Sequence, residues 1–244
     1  MAGIDTTGVL QVVSQISLSS TGTTVSGFAD FNDLVLVEPA SPDPVTAAAY
    51  TVDSAGAGDV TIAGLADSAT PPVANYNVQL YLDGNGHALA ITLDTTDVIG
   101  GSGFQQAAGA SFTAASFAGP YGFGAAGVDM TNENEFDAVG PVMADGVGSI
   151  SGFADLNWFT STPEEVANAP VTGTFVTTGS AAANGIFSAG SITGVDVTSC
   201  VLFTSTGPNC TADVFSYYLI DATGDNIAIE TDSNQITLGY FVQQ

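Results

Sequence analysis

Apolar and polar residues alternate along most of this chain. Leu10, Val12, Ile16 and Leu18 share one side of an early segment, and Ile236, Leu238, Tyr240 and Val242 share one side of the last, with Thr237 and Gln243 pointing the other way. A period of two belongs to strands with one buried face. Asp83-Gly84-Asn85-Gly86 and Ala222-Thr223-Gly224-Asp225 each separate two such runs and read as hairpin connections. Gly, Ser, Thr, Val and Ala outnumber the long polar helix formers, so little helix is expected.

The pattern is written twice. Gly27-Phe28-Ala29-Asp30-Phe31-Asn32 recurs as Gly152-Phe153-Ala154-Asp155-Leu156-Asn157, Pro44-Val45-Thr46 as Pro170-Val171-Thr172, and Asp83 to Asp94 as Asp221 to Asp232. Both copies end in Gln-Gln, at Gln105-Gln106 and Gln243-Gln244. The displacement grows along the chain because the second copy carries an insertion of about a dozen residues, which holds both cysteines. Strands are expected in the second copy near residues 115–129, 134–145, 147–158, 171–179, 184–194, 214–222, 226–233 and 235–243.

Strands joined in sequence by short connections close most economically into an antiparallel up-and-down barrel, calycin-like, which leaves no exposed edge; a two-sheet sandwich is the other arrangement of the same strands. The expected fold is therefore all-β, with a first β-domain over 1–107, a linker over 108–114, and a second β-domain over 115–244. Ala2-Gly3-Ile4-Asp5 matches Ala126-Gly127-Val128-Asp129, so the first domain lacks most of its first strand. Either a preceding segment supplies it, or the gap exposes edges that another chain fills by strand addition. Ser111 to Pro120 is expected to be a flexible or exchangeable connector.

The order of motifs resembles a family. Tyr121-Gly122-Phe123-Gly124, Ala144-Asp145-Gly146, Asp155-Leu156-Asn157, Pro170-Val171-Thr172-Gly173-Thr174-Phe175, Ile229-Glu230-Thr231-Asp232 and the terminal Gln-Gln look like the repeated β-domains of secreted proteins of unknown function from Acidobacteria and similar soil bacteria. The resemblance implies export and tandem β-domains and no particular activity. Where that family commonly has a Gly-Arg-Gly turn, this chain has Asn184-Gly185-Ile186.

Charge excludes whole classes of partner. The chain has no lysine or arginine, 25 carboxylates and one histidine, where roughly 30 basic residues would be ordinary for its length. Phosphate backbones and anionic membrane surfaces are held mainly by Lys and Arg, so nucleic acid is excluded as a partner. No apolar run is long enough for a membrane helix, and membrane insertion is not expected. In acid the carboxylates protonate and no lysine or arginine remains to charge the surface, so the protein approaches neutrality, a composition suited to an acidic or protease-rich exterior. Cys200 and Cys210 flank the turn Thr206-Gly207-Pro208-Asn209, and an exported chain with an even cysteine count pairs them, closing a loop near 195–213. Asn209-Cys210-Thr211 matches a glycosylation sequon.

Little catalytic chemistry remains. His87 cannot build a triad or a multi-histidine metal site alone, and it reads as a solvated turn residue. Paired acids are left, but Asp30 and Asp155, Asp94 and Asp232, and Glu230 stand at repeated strand positions, which indicates a structural role. No enzyme and no cofactor are expected, with one reservation for Ca²⁺. Asp129, Glu133, Glu135 and Asp137 in the first hairpin of copy two form a weak candidate site for it, without EF-hand spacing. Phe28, Phe153, Trp158, Phe175, Tyr217, Tyr218, Tyr240 and Phe241 read as core residues, with a ligand-lined barrel as the other use. The expected function is an extracellular or cell-surface structural protein, a self-associating subunit of a surface layer, matrix or filament. The alternative is a calycin-like module for a small molecule or glycan.

Overall fold

A computed structural model describes residues 1–5, 8–19, 25–33, 42–45, 47–63, 76–129, 134–159, 163–178, 182–193, 213–232 and 235–244. Among them the fold is strands plus two single-turn 3-10 segments, Ala114–Ser116 and Ala182–Asn184. The chain divides into two compact units, Met1–Gln106 and Ala107–Gln244.

The second unit is a closed eight-stranded barrel. Its strands are β10 (Ala118–Asp129), β11 (Glu135–Asp145), β12 (Ser149–Phe159), β13 (Pro163–Thr174), β14 (Ile186–Thr193), β15 (Asp213–Leu219), β16 (Asn226–Glu230) and β17 (Gln235–Gln243), each antiparallel to the next, with β17 closing on β10. At eight strands the interior is just wide enough for side chains to fill. Tyr121, Phe123, Phe175, Phe187, Phe215, Tyr217 and Phe241 fill it.

Two expectations change here. The fourth strand, expected over 171–179, begins at Pro163, because a bulge lets the polar stretch 163–169 pair with β12. At the bulge Asn168 takes φ +54°, and the Asp155 carboxylate accepts its backbone N–H at 2.8 Å. Asparagine tolerates that left-handed geometry, while a β-branched residue does not. Asn168→Val should therefore cost about 1–2 kcal/mol in urea unfolding, and Asn168→Gly should be nearly neutral.

The stretch 108–114, expected as a linker, is packed onto the second barrel instead. Phe112 and Phe117 are buried in its core, and Ala110 and Ala114 lie against it. An apolar pair five residues apart, flanking a single turn, gains more by plugging the barrel end than by staying in water.

The first unit repeats this plan with its wall opened twice. Its strands are β1 (Ala2–Asp5), β2 (Val9–Leu18), β3 (Val25–Asp33), β4 (Asp43–Val45), β5 (Ala47–Val52), β6 (Ala57–Ala63), β7 (Tyr76–Leu82), β8 (His87–Thr92) and β9 (Asp97–Phe104). They form one sheet in the order β4-β3-β2-β1-β9-β8-β7-β6-β5. The edges β4 and β5 are separated in sequence by one residue and are not paired with each other among the described residues. The second opening follows from the shortness of β1. Ala2–Ile4 pair with Val9–Gln11, and Ala2–Asp5 pair with Asp97–Gly100. Beyond that, Met1 bonds to Val12 and lies against Gly101, while Val13–Leu18 of β2 pair with β3 alone and Ser102–Gly103 of β9 with β8 alone, among the described residues. Gln15 Nε2 donates to Gln106 Oε1 at 2.8 Å near this gap.

Candidate functional site

Alternation along β15 and β16 sends Asp213, Phe215, Tyr217 and Leu219 inward, and with them Ala228 and Glu230. Glu230, the last residue of β16, is paired opposite Phe215. Asp232 follows two residues later, where its carboxylate accepts the backbone N–H of Val214 at 2.6 Å. Thus three acids meet at one end of the barrel. Asp213 and Glu230 are fully buried, Asp232 is half-buried, and one carboxylate oxygen from each lies within 4.8 Å of the others. The Thr237 hydroxyl, on the inward face of β17, donates to Glu230 Oε2.

Burial and the neighbouring Asp213 and Asp232 penalise the charged form of Glu230, so its carboxyl titrates well above the ordinary value of 4.5. The donor set is all oxygen, which suits a hard cation such as Ca²⁺, and a shared proton satisfies the same repulsion. Of the first-hairpin candidates, Glu135 and Asp137 are exposed on β11, Asp129 ends β10, and Glu133 lies outside the described residues. The acids that converge among the described residues are therefore a different set. Glu230 and Asp232 stood out in sequence as repeated positions, and Asp213 did not. The available signal was a glutamate sharing the inward face with Ala228.

The duplicated aspartates hold backbone. Asp94 accepts the N–H of Asn77 at 2.7 Å and its side-chain amide at 2.6 Å, as Asp232 accepts Val214. His87 sits exposed on the β7–β8 turn, with Nδ1 3.0 Å from Asp83 Oδ2. Backbone donors from Asn85 and His87, with the imidazole itself, lower Asp83 to about 2. Asp145 plays the same part in the β11–β12 turn, where the N–H groups of Val147, Gly148 and Ser149 all donate to it at 2.8 Å and lower it to about 2. Cys200, Cys210 and the sequon at Asn209 lie outside the described residues.

The aromatics divide between core and surface. Phe175, Tyr217 and Phe241 are core residues, Trp158 is half-buried against them, Tyr218 is buried on the opposite face of β15, and Phe153 and Tyr240 are exposed. Phe117 packs with ring centroids 4.9 Å from Tyr121, 5.0 Å from Phe175, 5.5 Å from Phe241 and 5.6 Å from Tyr217. These rings occupy the space that a central ligand would need.

Fold and site define a tandem barrel-like β protein with a buried carboxyl cluster in its second barrel. No family model and no curated protein matches the sequence. A solved structure of a protein of unknown function, from the DUF3598 family of Nostoc punctiforme, is 9% identical over 98% of this chain and 91% of that one. Its TM-score of 0.21 is too low to carry a fold or function assignment. No helix among the described residues is long and apolar enough to cross a membrane.

Proposed function

We propose that this chain is an extracellular structural protein, a subunit of a surface layer, matrix or filament that assembles by strand complementation between chains. The open sheet of the first unit carries the reading. Its edge strands β4 and β5 pair with β3 and β6 alone among the described residues, and the free side of an edge strand is a template for an added strand. The second unit, by contrast, closes β17 on β10.

Paired positions in the two units measure what a filled wall does. Leu82, opposite Ala88, is 36% exposed, whereas its counterpart Leu219, opposite Asn226, is 3% exposed. Leu80 and Ala90 are half-buried where Tyr217 and Ala228 are fully buried. The apolar side chains of the first unit thus retain area that an inserted strand with inward aromatics would remove from water. The absence of lysine and arginine, and with them of any trypsin-type cleavage residue, fits a durable exterior.

Assembly is tested by electron microscopy and light scattering of the full chain at pH 4 and pH 7. Oligomers or rods are expected at pH 4, where protonation relieves the repulsion among 25 carboxylates. Monodisperse monomers at both pH values would overturn the proposal.

A further inference from the structure

We infer that the outer wall of the second barrel carries a docking groove for an extended, basic, amphipathic peptide segment of a partner protein, an activity separate from strand exchange at the first unit. The groove is about 580 Å³, within the range of ligand-binding clefts, and crosses the waist of the barrel over β17, β10, β11, β12 and β13. Strand register arranges its surface in two rows. One row runs Leu238, Ala126, Asp137, Asn157, Glu165, and the next runs Tyr240, Gly124, Val139, Asp155. Small residues on β10 set the floor, and a coiled sheet is concave along its strands at the waist.

The two ends of the groove differ in chemistry. On β17 it is apolar, with Leu238 and the 41% exposed Tyr240, and on β12 and β13 it holds the carboxylates of Asp155 and Glu165. Between them β11 carries one of each kind, the 62% exposed Val139 and Asp137. Asp137 and Glu165 are two strands apart, about 10 Å at the usual strand spacing, and Asp155 is fixed by its bond to Asn168 N.

Charge complementarity selects the occupant. The second unit contains no Lys, Arg or His, so nothing within it neutralises these acids, and clustered carboxylates on a low-dielectric wall concentrate cations. A second copy of the chain would bring only more anions. A bare metal ion would leave Val139 and Tyr240 in water, and a neutral sugar would leave three charges uncompensated. An extended segment whose groove-facing side chains, at every second residue, are apolar at one end and basic at the other satisfies both ends.

The test uses the full chain at pH 7 and labelled Ac-Leu-Ser-Leu-Ser-Lys-Ser-Lys-NH2 (the Lys-Leu peptide), followed by fluorescence anisotropy, with Ac-Ser-Ser-Ser-Ser-Lys-Ser-Lys-NH2 (the Lys-Ser peptide) and Ac-Leu-Ser-Leu-Ser-Glu-Ser-Glu-NH2 as comparison peptides. The Lys-Leu peptide should bind at least tenfold more tightly than either. Asp137→Asn with Glu165→Gln should weaken it at least tenfold. Asp53→Asn with Asp59→Asn, which removes equal charge from the first unit, should change it less than twofold. Tyr240→Ser should abolish the preference for leucine over serine. Unchanged binding by the groove variant, equal loss in the Asp53/Asp59 control, or equal affinity for the Lys-Ser peptide would overturn the inference, as would tighter binding of a neutral oligosaccharide at these residues. Circular dichroism and melting of each variant separate a lost groove from a lost fold.

Discussion

Replacing Phe117 by alanine should destabilise the second barrel by about 3–5 kcal/mol, the range for removing a fully buried aromatic side chain. Phe117 is fully buried, and its ring touches four other rings contributed by β10, β15, β17 and the segment after β13. It sits on the chain ahead of β10, just past the 114–116 turn, and no strand hydrogen bonds would be lost with it. The cost is therefore packing alone. The space could not refill cheaply, because Gly224, at φ +94°, holds the β15–β16 turn against Ser116 and Tyr121. Urea unfolding followed by the fluorescence of Trp158, the one tryptophan, reads this barrel directly. A loss below about 1 kcal/mol, the size of a surface effect, would show that 107–117 is a dispensable connector. Phe112→Ala should cost less, since Phe112 retains some exposure.

The second large effect is on pH dependence. The folded state holds the Glu230 proton more tightly than the unfolded chain does, so Glu230 contributes stability fully below pH 4.5 and loses that contribution as pH rises through its raised folded value. Asp145 works in the opposite sense. Its value is lowered from 3.8 to about 2, so its turn is stabilised above pH 3.8 and released as pH falls through about 2. Both contributions are complete between pH 3.8 and 4.5, and the melting temperature of the second barrel should peak near that window and decline toward pH 8. Self-repulsion among the 25 carboxylates pushes the same way above it.

Glu230→Gln keeps an acceptor for Thr237 and removes the charge. It should flatten the decline and stabilise the barrel by about 1–3 kcal/mol at pH 8, the scale for relieving a buried, poorly compensated polar group. If the wild-type curve rises steadily from pH 4 to pH 8, or the variant is less stable at pH 8, the cluster is not held together by protons. Added Ca²⁺ at pH 8 that raises the wild-type melting temperature, and not that of the variant, would assign the cation as its holder. Asp145→Ala should remove the acid limb without altering the alkaline one.

Local order was legible because strands and turns are short-range properties. The alternation at β2, the Asp83 and Asp221 turns and the duplication of Asp30/Asp155 and Asp94/Asp232 all placed elements close to where they lie, since each is decided by residues two to four apart. The stretch 163–169 lies outside the strands expected from sequence, and its Pro, Glu and Asn disfavour strands on average. Pairing with β12 and the capped left-handed Asn168 overrode that average.

The sequence by itself determined that this is an all-β chain of two like units, depleted of cations and therefore of most catalytic and phosphate-binding chemistry. Tertiary structure decided which face is inside. In β17 the apolar set lies on the face away from the interior, with Ile236 buried but Tyr240 and Val242 exposed, while Gln235, Thr237 and Phe241 turn into the barrel. Period-two alternation marks two faces and assigns neither. Closing the barrel fixes one curvature for every strand at once, and the interior then belongs to whichever residues fill it, five interlocked rings at one end and three acids at the other.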